Sequence, residues 1–85
     1  MNTSNIYKHV PTINTLIFNT TTNDLISKAE NINPDHHLKE DLYLDSLDHI
    51  ELVMQLEEKL GIEFKDDGAN WKTVQDVYNA VEELT

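Results

Sequence analysis

Residues 45–60 read Asp45-Ser46-Leu47-Asp48-His49-Ile50-Glu51-Leu52-Val53-Met54-Gln55-Leu56-Glu57-Glu58-Lys59-Leu60 and run into Gly61. This stretch decides the fold, because it carries the start, stripe and stop of an amphipathic helix. Asp45 is placed to cap the unpaired N–H groups of a first turn, and Asp48 adds a carboxylate where the helix dipole favours one. Lys59 brings a cation to the last turn, and Gly61 suits the left-handed residue that commonly ends a helix. Ile50, Val53, Leu56 and Leu60 recur at helical spacing and are expected to face inward. The pattern predicts a helix over 46–60.

Working outward, a second helix is expected to follow Thr73. That residue is a suitable N-cap, and Val74, Val77, Tyr78, Val81 and Leu84 repeat at helical intervals. Between the two, Ile62 and Phe64 anchor a loop, and 66–71 is expected to form one short helical turn. Trp71 reads as a packing residue rather than a ligand platform. Towards the N-terminus, Asn33-Pro34-Asp35 predicts a turn. Ile13, Leu16, Ile17 and Leu25 suggest a helix over about 13–28, interrupted by the Asn19-Thr20-Thr21-Thr22-Asn23 tract. A rival register through Ile6, Val10, Ile13 and Ile17 requires Pro11 inside a helix, which is unfavourable. The later register is therefore expected, with 1–11 as a loosely ordered extension and 12–85 as the domain. The fold class predicted is all-α, a small four-helix bundle of three main helices and one short one.

Composition narrows the functions. The chain has 85 residues and no cysteine, so it is one small domain without disulfides, thiolate metal sites or a side-chain thiol of its own. A thiol, if the function needs one, must be added after translation. His36 and His37 are adjacent and point in different directions, so they do not make a metal site by themselves. The two glycines, Gly61 and Gly68, belong to no phosphate-cradling loop. No nucleophile–base pair is recognisable, so an enzyme is not expected and no catalytic residue is assigned. No apolar run reaches the roughly 20 residues needed to cross a bilayer, and the first residues lack the pattern of a secretory signal. A cytoplasmic monomer is the expectation.

Charge adds a partner class. Sixteen acidic residues against six basic ones give a formal net charge of −10. Such a field repels nucleic acid and anionic membranes and attracts basic patches on proteins. From residue 40 to 58 the acids are Glu40, Asp41, Asp45, Asp48, Glu51, Glu57 and Glu58, with no Lys or Arg between them. At about 100° per residue, Leu47, Glu51, Met54 and Glu58 fall along one line of the helix, displaced from the expected core stripe. Alternating apolar and acidic residues suit docking onto a basic, partly apolar surface. Ser46 opens this helix, where an attached phosphate would meet unpaired backbone N–H groups and the positive end of the dipole. Serine at a helix start is ordinarily a cap, so that placement alone does not assign a modification.

The run Asp41-Leu42-Tyr43-Leu44-Asp45-Ser46-Leu47-Asp48, followed by Glu51-Leu52-Val53-Met54-Gln55-Leu56-Glu57-Glu58, resembles the signature of the acyl carrier proteins of dissociated fatty acid synthesis. The resemblance extends from Leu38 to Leu84, through Ile62-Glu63-Phe64 and Thr73-Val74-Gln75-Asp76-Val77, and is faint before Asn31. It implies that Ser46 carries 4′-phosphopantetheine, transferred from coenzyme A by a phosphopantetheinyl transferase with a divalent metal. Acyl groups would then ride as thioesters on the thiol of that arm, which answers the absence of cysteine. Asp45 and Leu47 would frame the attachment site. Asp48, Glu51, Met54, Glu57 and Glu58 would meet basic docking patches on fatty acid synthesis enzymes. Val53, Leu56, Ile62, Ala69 and Val77 would line a space for the acyl chain. The sequence departs from the family at Tyr43, a position that is often glycine there. Alternatives are a carrier for polyketide, peptide, aminoacyl or specialised lipid assembly, or an unmodified acidic interaction module.

Overall fold

The computed structural model describes residues 4–66 and 68–85, with side chains for 8–66 and 68–85. Among these residues are three α-helices in the order α1 (Ser4–Thr20), α2 (Ser46–Leu60) and α3 (Val74–Leu84), with a short 3₁₀ turn at Ala29–Asn31 between α1 and α2. The architecture is the expected small all-α bundle. A short element lies at 29–31. The turn expected over 66–71 falls in part on residue 67, outside the described residues; on either side of it the Ala69 N–H donates to the Asp66 carbonyl at 3.0 Å and the Trp71 N–H to that of Gly68 at 3.1 Å.

α1 corrects the expected register. It runs Ser4–Thr20 with Pro11 inside it, so the helix begins well before 13 and ends well before 28. Burial explains the choice. Ile13 and Ile17 are fully buried, Leu16 and Thr20 nearly so, and Val10 packs against the same core. Ile6 lies outside the residues whose side chains are described. Pro11 sits on the exposed side of the helix, where its ring faces solvent. Leu25, which the later register would bury, is 85% exposed. Helices in proteins draw most of their stability from such packing rather than from propensity, and here packing outweighs the proline.

The Asn/Thr tract that interrupts the helical pattern has a structural use. The Thr20 hydroxyl turns back to the Leu16 carbonyl at 2.8 Å as α1 ends. Beyond it, the Thr21 hydroxyl donates to the Leu42 carbonyl, the Thr22 hydroxyl to that of Tyr43, and the Asn23 side-chain amide to that of Asp41. These short polar side chains compete with helix hydrogen bonding and satisfy the carbonyls of a distant loop.

α2 and α3 keep the expected limits. Asp45 and Asp48 form a reciprocal capping box at the start of α2, and Gly61 closes it in the left-handed conformation (φ 65°). Thr73 and Asp76 form the same device at α3. The inward face of α2 differs from the expected stripe: Leu52, Val53 and Leu56 are buried, Leu60 is half-buried, and Ile50 is 53% exposed. On α3, Val74, Val77, Tyr78 and Val81 are buried, whereas Leu84 is exposed. α1 packs against both α2 and α3. The Tyr78 hydroxyl, donating to Asn14 Oδ1 at 2.6 Å, ties α3 to α1, and burial pushes its pKa above the ordinary value despite that bond. The segment after the Pro34 turn is laced to the start of α3, with the Leu38 N–H donating to the Lys72 carbonyl at 2.9 Å and the Val74 N–H to that of His36 at 3.0 Å.

Two substitutions test these elements. An interior proline costs a helix about 3 kcal/mol relative to alanine, so Pro11→Ala is expected to raise stability by about 1–3 kcal/mol in urea denaturation. A destabilised variant would mean that Pro11 makes packing contacts that outweigh its missing N–H. Asp76 Oδ2 accepts from the backbone N–H groups of Lys72 at 2.8 Å and Thr73 at 3.1 Å, and these bonds hold its pKa below the ordinary value. A carboxyl depressed in the folded state adds stability above its unfolded pKa of about 4 and loses that gain as pH falls through the folded value. Asp76→Asn should therefore lose about 1 kcal/mol at neutral pH and show a shallower decline in melting temperature on acidification below about pH 4. Parallel acid profiles for the two proteins would contradict this account.

Candidate functional site

The site is assembled by the loop leading into α2. The Asp41 carboxylate accepts from the His37 N–H at 2.7 Å, and the Leu44 N–H donates to the Leu38 carbonyl at 2.9 Å, closing a tight turn over 37–44. Leu38, Leu42 and Leu44 point into the core from this turn. Tyr43, between two buried leucines, is turned outward and stands at φ 56°, the left-handed region. A residue with a Cβ costs roughly 1–2 kcal/mol there. The hydrogen bonds from Thr21, Thr22 and Asn23 hold the backbone in place at that point.

Two residues later the chain enters α2. The Asp48 N–H donates to Asp45 Oδ1 at 2.9 Å, and the Asp45 N–H donates to Asp48 Oδ2 at 3.3 Å. This clasp brackets Ser46 and Leu47 and fixes them in the first turn. Ser46 is exposed, and Leu47 is 76% exposed. Along the helix, Glu51 and Glu58 are exposed and Met54 is 61% exposed, so the line of Leu47, Glu51, Met54 and Glu58 faces solvent together. Ile50 joins its apolar part. Glu57 differs from the others: it is half-buried, and its Oε2 accepts from the Phe64 N–H at 2.9 Å, bracing the exit from α2.

Beside Ser46 lies an open cleft of about 810 Å³ between the start of α2, the 37–44 turn and the 66–72 segment. Its apolar lining comes from Leu38, Leu44, Ile50, Ala69 and Trp71, with Lys39 and Lys72 among its polar residues. Of the five residues expected to line a space for an acyl chain, Ala69 borders this cleft. Val53, Leu56 and Val77 are packed into the core, and Ile62 lies against it. Leu38, Leu44, Ile50, Trp71, Lys39 and Lys72 are among the lining residues that sequence reasoning did not place here. Ile50 carried a signal, its helical spacing, that was equally compatible with the core. The two lysines come from separate loops that only the fold brings together.

Trp71 is held firmly. Its ring lies edge-on to Phe64 at 5.0 Å between centroids and tilted against His49 at 5.5 Å. Gly68 (φ 68°) lies directly against the indole, and a Cβ there would come within 2.6 Å of it. His36 Nδ1 accepts from the Asn33 N–H at 3.1 Å, while the backbone of His37 pairs with that of Thr73. The His36 ring thus closes its own turn, and His37 lends its backbone to the pairing with the start of α3.

An exposed hydroxyl at a capped helix start, flanked by an apolar cleft and an acidic face, suits a serine that bears a phosphodiester with a long substituent. A helix N-terminus favours negative charge, and the cleft beside it presents apolar surface. Comparison with known proteins points the same way. A family model described as "Phosphopantetheine attachment site" matches residues 21–81. An acyl carrier protein of Thermosynechococcus vestitus is 47% identical over 53 residues, which is 61% of this chain and 65% of that protein. An acyl carrier protein of Helicobacter hepaticus is 49% identical over 55 residues, 64% of this chain and 72% of that protein.

The conformation of Tyr43 generates a stability test. Tyr43→Gly removes the left-handed penalty of about 1–2 kcal/mol while adding about 0.5–1 kcal/mol of unfolded-chain entropy. The variant is expected to gain about 0.5–1 kcal/mol in equilibrium denaturation. A loss would show that the phenol makes contacts that outweigh its backbone conformation.

Proposed function

The chain belongs to the phosphopantetheine attachment-site family, and from that premise we propose that it is an acyl carrier protein of fatty acid synthesis, loaded on Ser46. The observation that carries this reading is the exposed hydroxyl of Ser46, clasped between Asp45 and Asp48 at the mouth of the cleft. In loading, Ser46 Oγ forms a bond to phosphorus as the pyrophosphate linkage of coenzyme A breaks. The hydroxyl proton passes to a base on the transferase, and the adenine nucleotide leaves. Asp45 and Asp48 keep the first turn of α2 rigid during this exchange, and the N-terminal N–H groups of the helix favour the phosphodiester that results. The arm supplies the thiol on which acyl groups are carried as thioesters, and the chemistry performed on those groups rests with the partner enzymes.

The partners are a phosphopantetheinyl transferase and synthesis enzymes with basic docking patches. Leu47 and Met54 supply apolar contact, and Asp48, Glu51 and Glu58 supply charge around it. Glu57, drawn towards Phe64, supports the helix end more than the face. Contacts made by exposed charges are screened by salt and speed encounter more than they deepen affinity, which suits a carrier that must bind and leave many enzymes. The carrier works as a monomer in the cytoplasm.

The test is intact mass after incubation with coenzyme A, magnesium and a promiscuous phosphopantetheinyl transferase. One phosphopantetheine is expected on the wild type and none on Ser46→Ala. No gain on the wild type, with a control carrier loaded in the same mixture, would make the protein an unmodified interaction module. A gain on Ser46→Ala would move the attachment to another residue.

A further inference from the structure

The six cations of the chain are all lysines, set against sixteen acidic side chains. Two of them, Lys39 and Lys72, line the cleft that Ser46 borders, and the other four do not. The two come from separate segments that the backbone stitches together. The Leu38 N–H donates to the Lys72 carbonyl at 2.9 Å, and His37 pairs with Thr73 in the antiparallel sense. The roots of the two side chains are therefore neighbours, held by the same bonds that fix the start of α3. Both side chains are exposed. Around them the charge has the opposite sign, but much of it is engaged. Of the cleft's carboxylates, Glu40, Asp45 and Asp66, Asp45 Oδ1 accepts from the Asp48 N–H at 2.9 Å and Asp66 Oδ1 from the Gly68 N–H at 3.1 Å. Asp76 is held chiefly by the backbone N–H groups of Lys72 and Thr73, and the Lys72 charge is the smallest of the causes that lower its pKa. Among the described residues, neither lysine forms an ion pair with a carboxylate.

We infer that Lys39 and Lys72 form a two-cation clamp for the phosphodiester of the arm carried on Ser46. The inference rests on loading at Ser46. A phosphodiester there adds a negative charge between Asp45 and Asp48, which repel it, on the cleft that the two lysines share, and these attract it. A lysine ammonium is a compact charge on a flexible stem, so it follows a phosphate oxygen without demanding one geometry. The clamp draws the root of the arm towards the 37–39 segment and away from the line of Leu47, Glu51, Met54 and Glu58, which stays open to partners. It acts on the phosphate alone and is therefore indifferent to the acyl group. Lys39 and Lys72 are positioning residues that orient the arm and take no part in its transfer.

The experiment uses the full chain, unloaded and loaded with the arm, with loading checked by mass. Failure of the wild type to load refutes the carrier reading and is distinguishable from every result on the lysines. Both forms are treated briefly with trace acetic anhydride, and acetylation of each lysine is read by peptide mass. Only the free amine reacts, and an ammonium paired with a phosphate holds its proton more tightly, so loading should slow Lys39 and Lys72 by about threefold. Lys8, Lys28, Lys59 and Lys65 should be unchanged. In about 0.5 M sodium chloride the difference should shrink, because exposed ion pairs are screened. Slowing that salt leaves intact would mean that the arm merely covers the lysines, and would overturn the clamp. So would equal slowing at all six lysines, or none at Lys39 and Lys72. The phosphorus resonance of the arm gives a second readout. It should move with added salt in the wild type and in Lys59→Gln, and hold still in the double variant Lys39→Gln, Lys72→Gln. The same salt response in all three proteins would overturn the inference.

Discussion

The packing of α1 is the interaction on which the rest of the structure depends. Ile13, Leu16 and Ile17 form the face against which α2 and α3 are both set. In a chain of this size, without disulfides, the hydrophobic core is close to the minimum that holds a domain together. That need explains why a helix forms across Pro11 at all. It also explains where the helix stops, since the threonines after Thr20 are required elsewhere. Their hydroxyls hold the carbonyls of Leu42 and Tyr43, and Asn23 holds that of Asp41. The turn so fixed buries Leu42 and Leu44, turns Tyr43 outward and delivers Asp45 to its capping position. The presentation of Ser46 is thus the far end of a chain of constraints that begins at Ile13.

How legible these features were in the sequence depended on whether their signals were local. α2 and α3 announce themselves, because Asp45 with Asp48, Thr73 with Asp76, and Gly61 each act within a few residues of themselves. α1 has no acidic residue in its first turn and no cation in its last, and its decisive contacts come from helices far along the chain. Propensity therefore argued against the register that burial selects. The Asn/Thr tract was misread for the same reason. Its partners lie about twenty residues away, and nothing in its own spacing names them.

The site was legible in its line of residues and less so in depth. Leu47, Glu51, Met54 and Glu58 could be placed by helical geometry alone. Ile50 could not, because α2 carries two apolar stripes, one through Leu52, Val53 and Leu56 and one through Leu47, Ile50 and Met54. Periodicity reveals that such stripes exist but does not say which one meets the core. The second stripe remains uncovered and is flanked by carboxylates, and a contiguous exposed apolar stripe of that kind is a feature of interaction surfaces. Glu57 shows the converse. It is acidic and close to the face in sequence, yet its bond to the Phe64 N–H draws it into the fold.

The loop 62–72 shows how a weakly structured segment acquires a definite shape. Its described residues make turns, so little in their backbone alone would hold them. Its order comes from Phe64 inserted in the core, from Glu57 holding the Phe64 N–H, and from Trp71 seated on Gly68 between Phe64 and His49. Apart from the burial of Phe64, each of these contacts ends on α2 or within the loop itself. The wall of the cleft is thereby referred to the same helix that presents Ser46, so serine and wall keep a constant relation. α3 joins the frame through Lys72 and Thr73, whose N–H groups are held by Asp76 and whose backbone pairs with the 36–38 segment. Phe64 joins the two ends of this arrangement, as a member of the core and as the edge-on neighbour of Trp71.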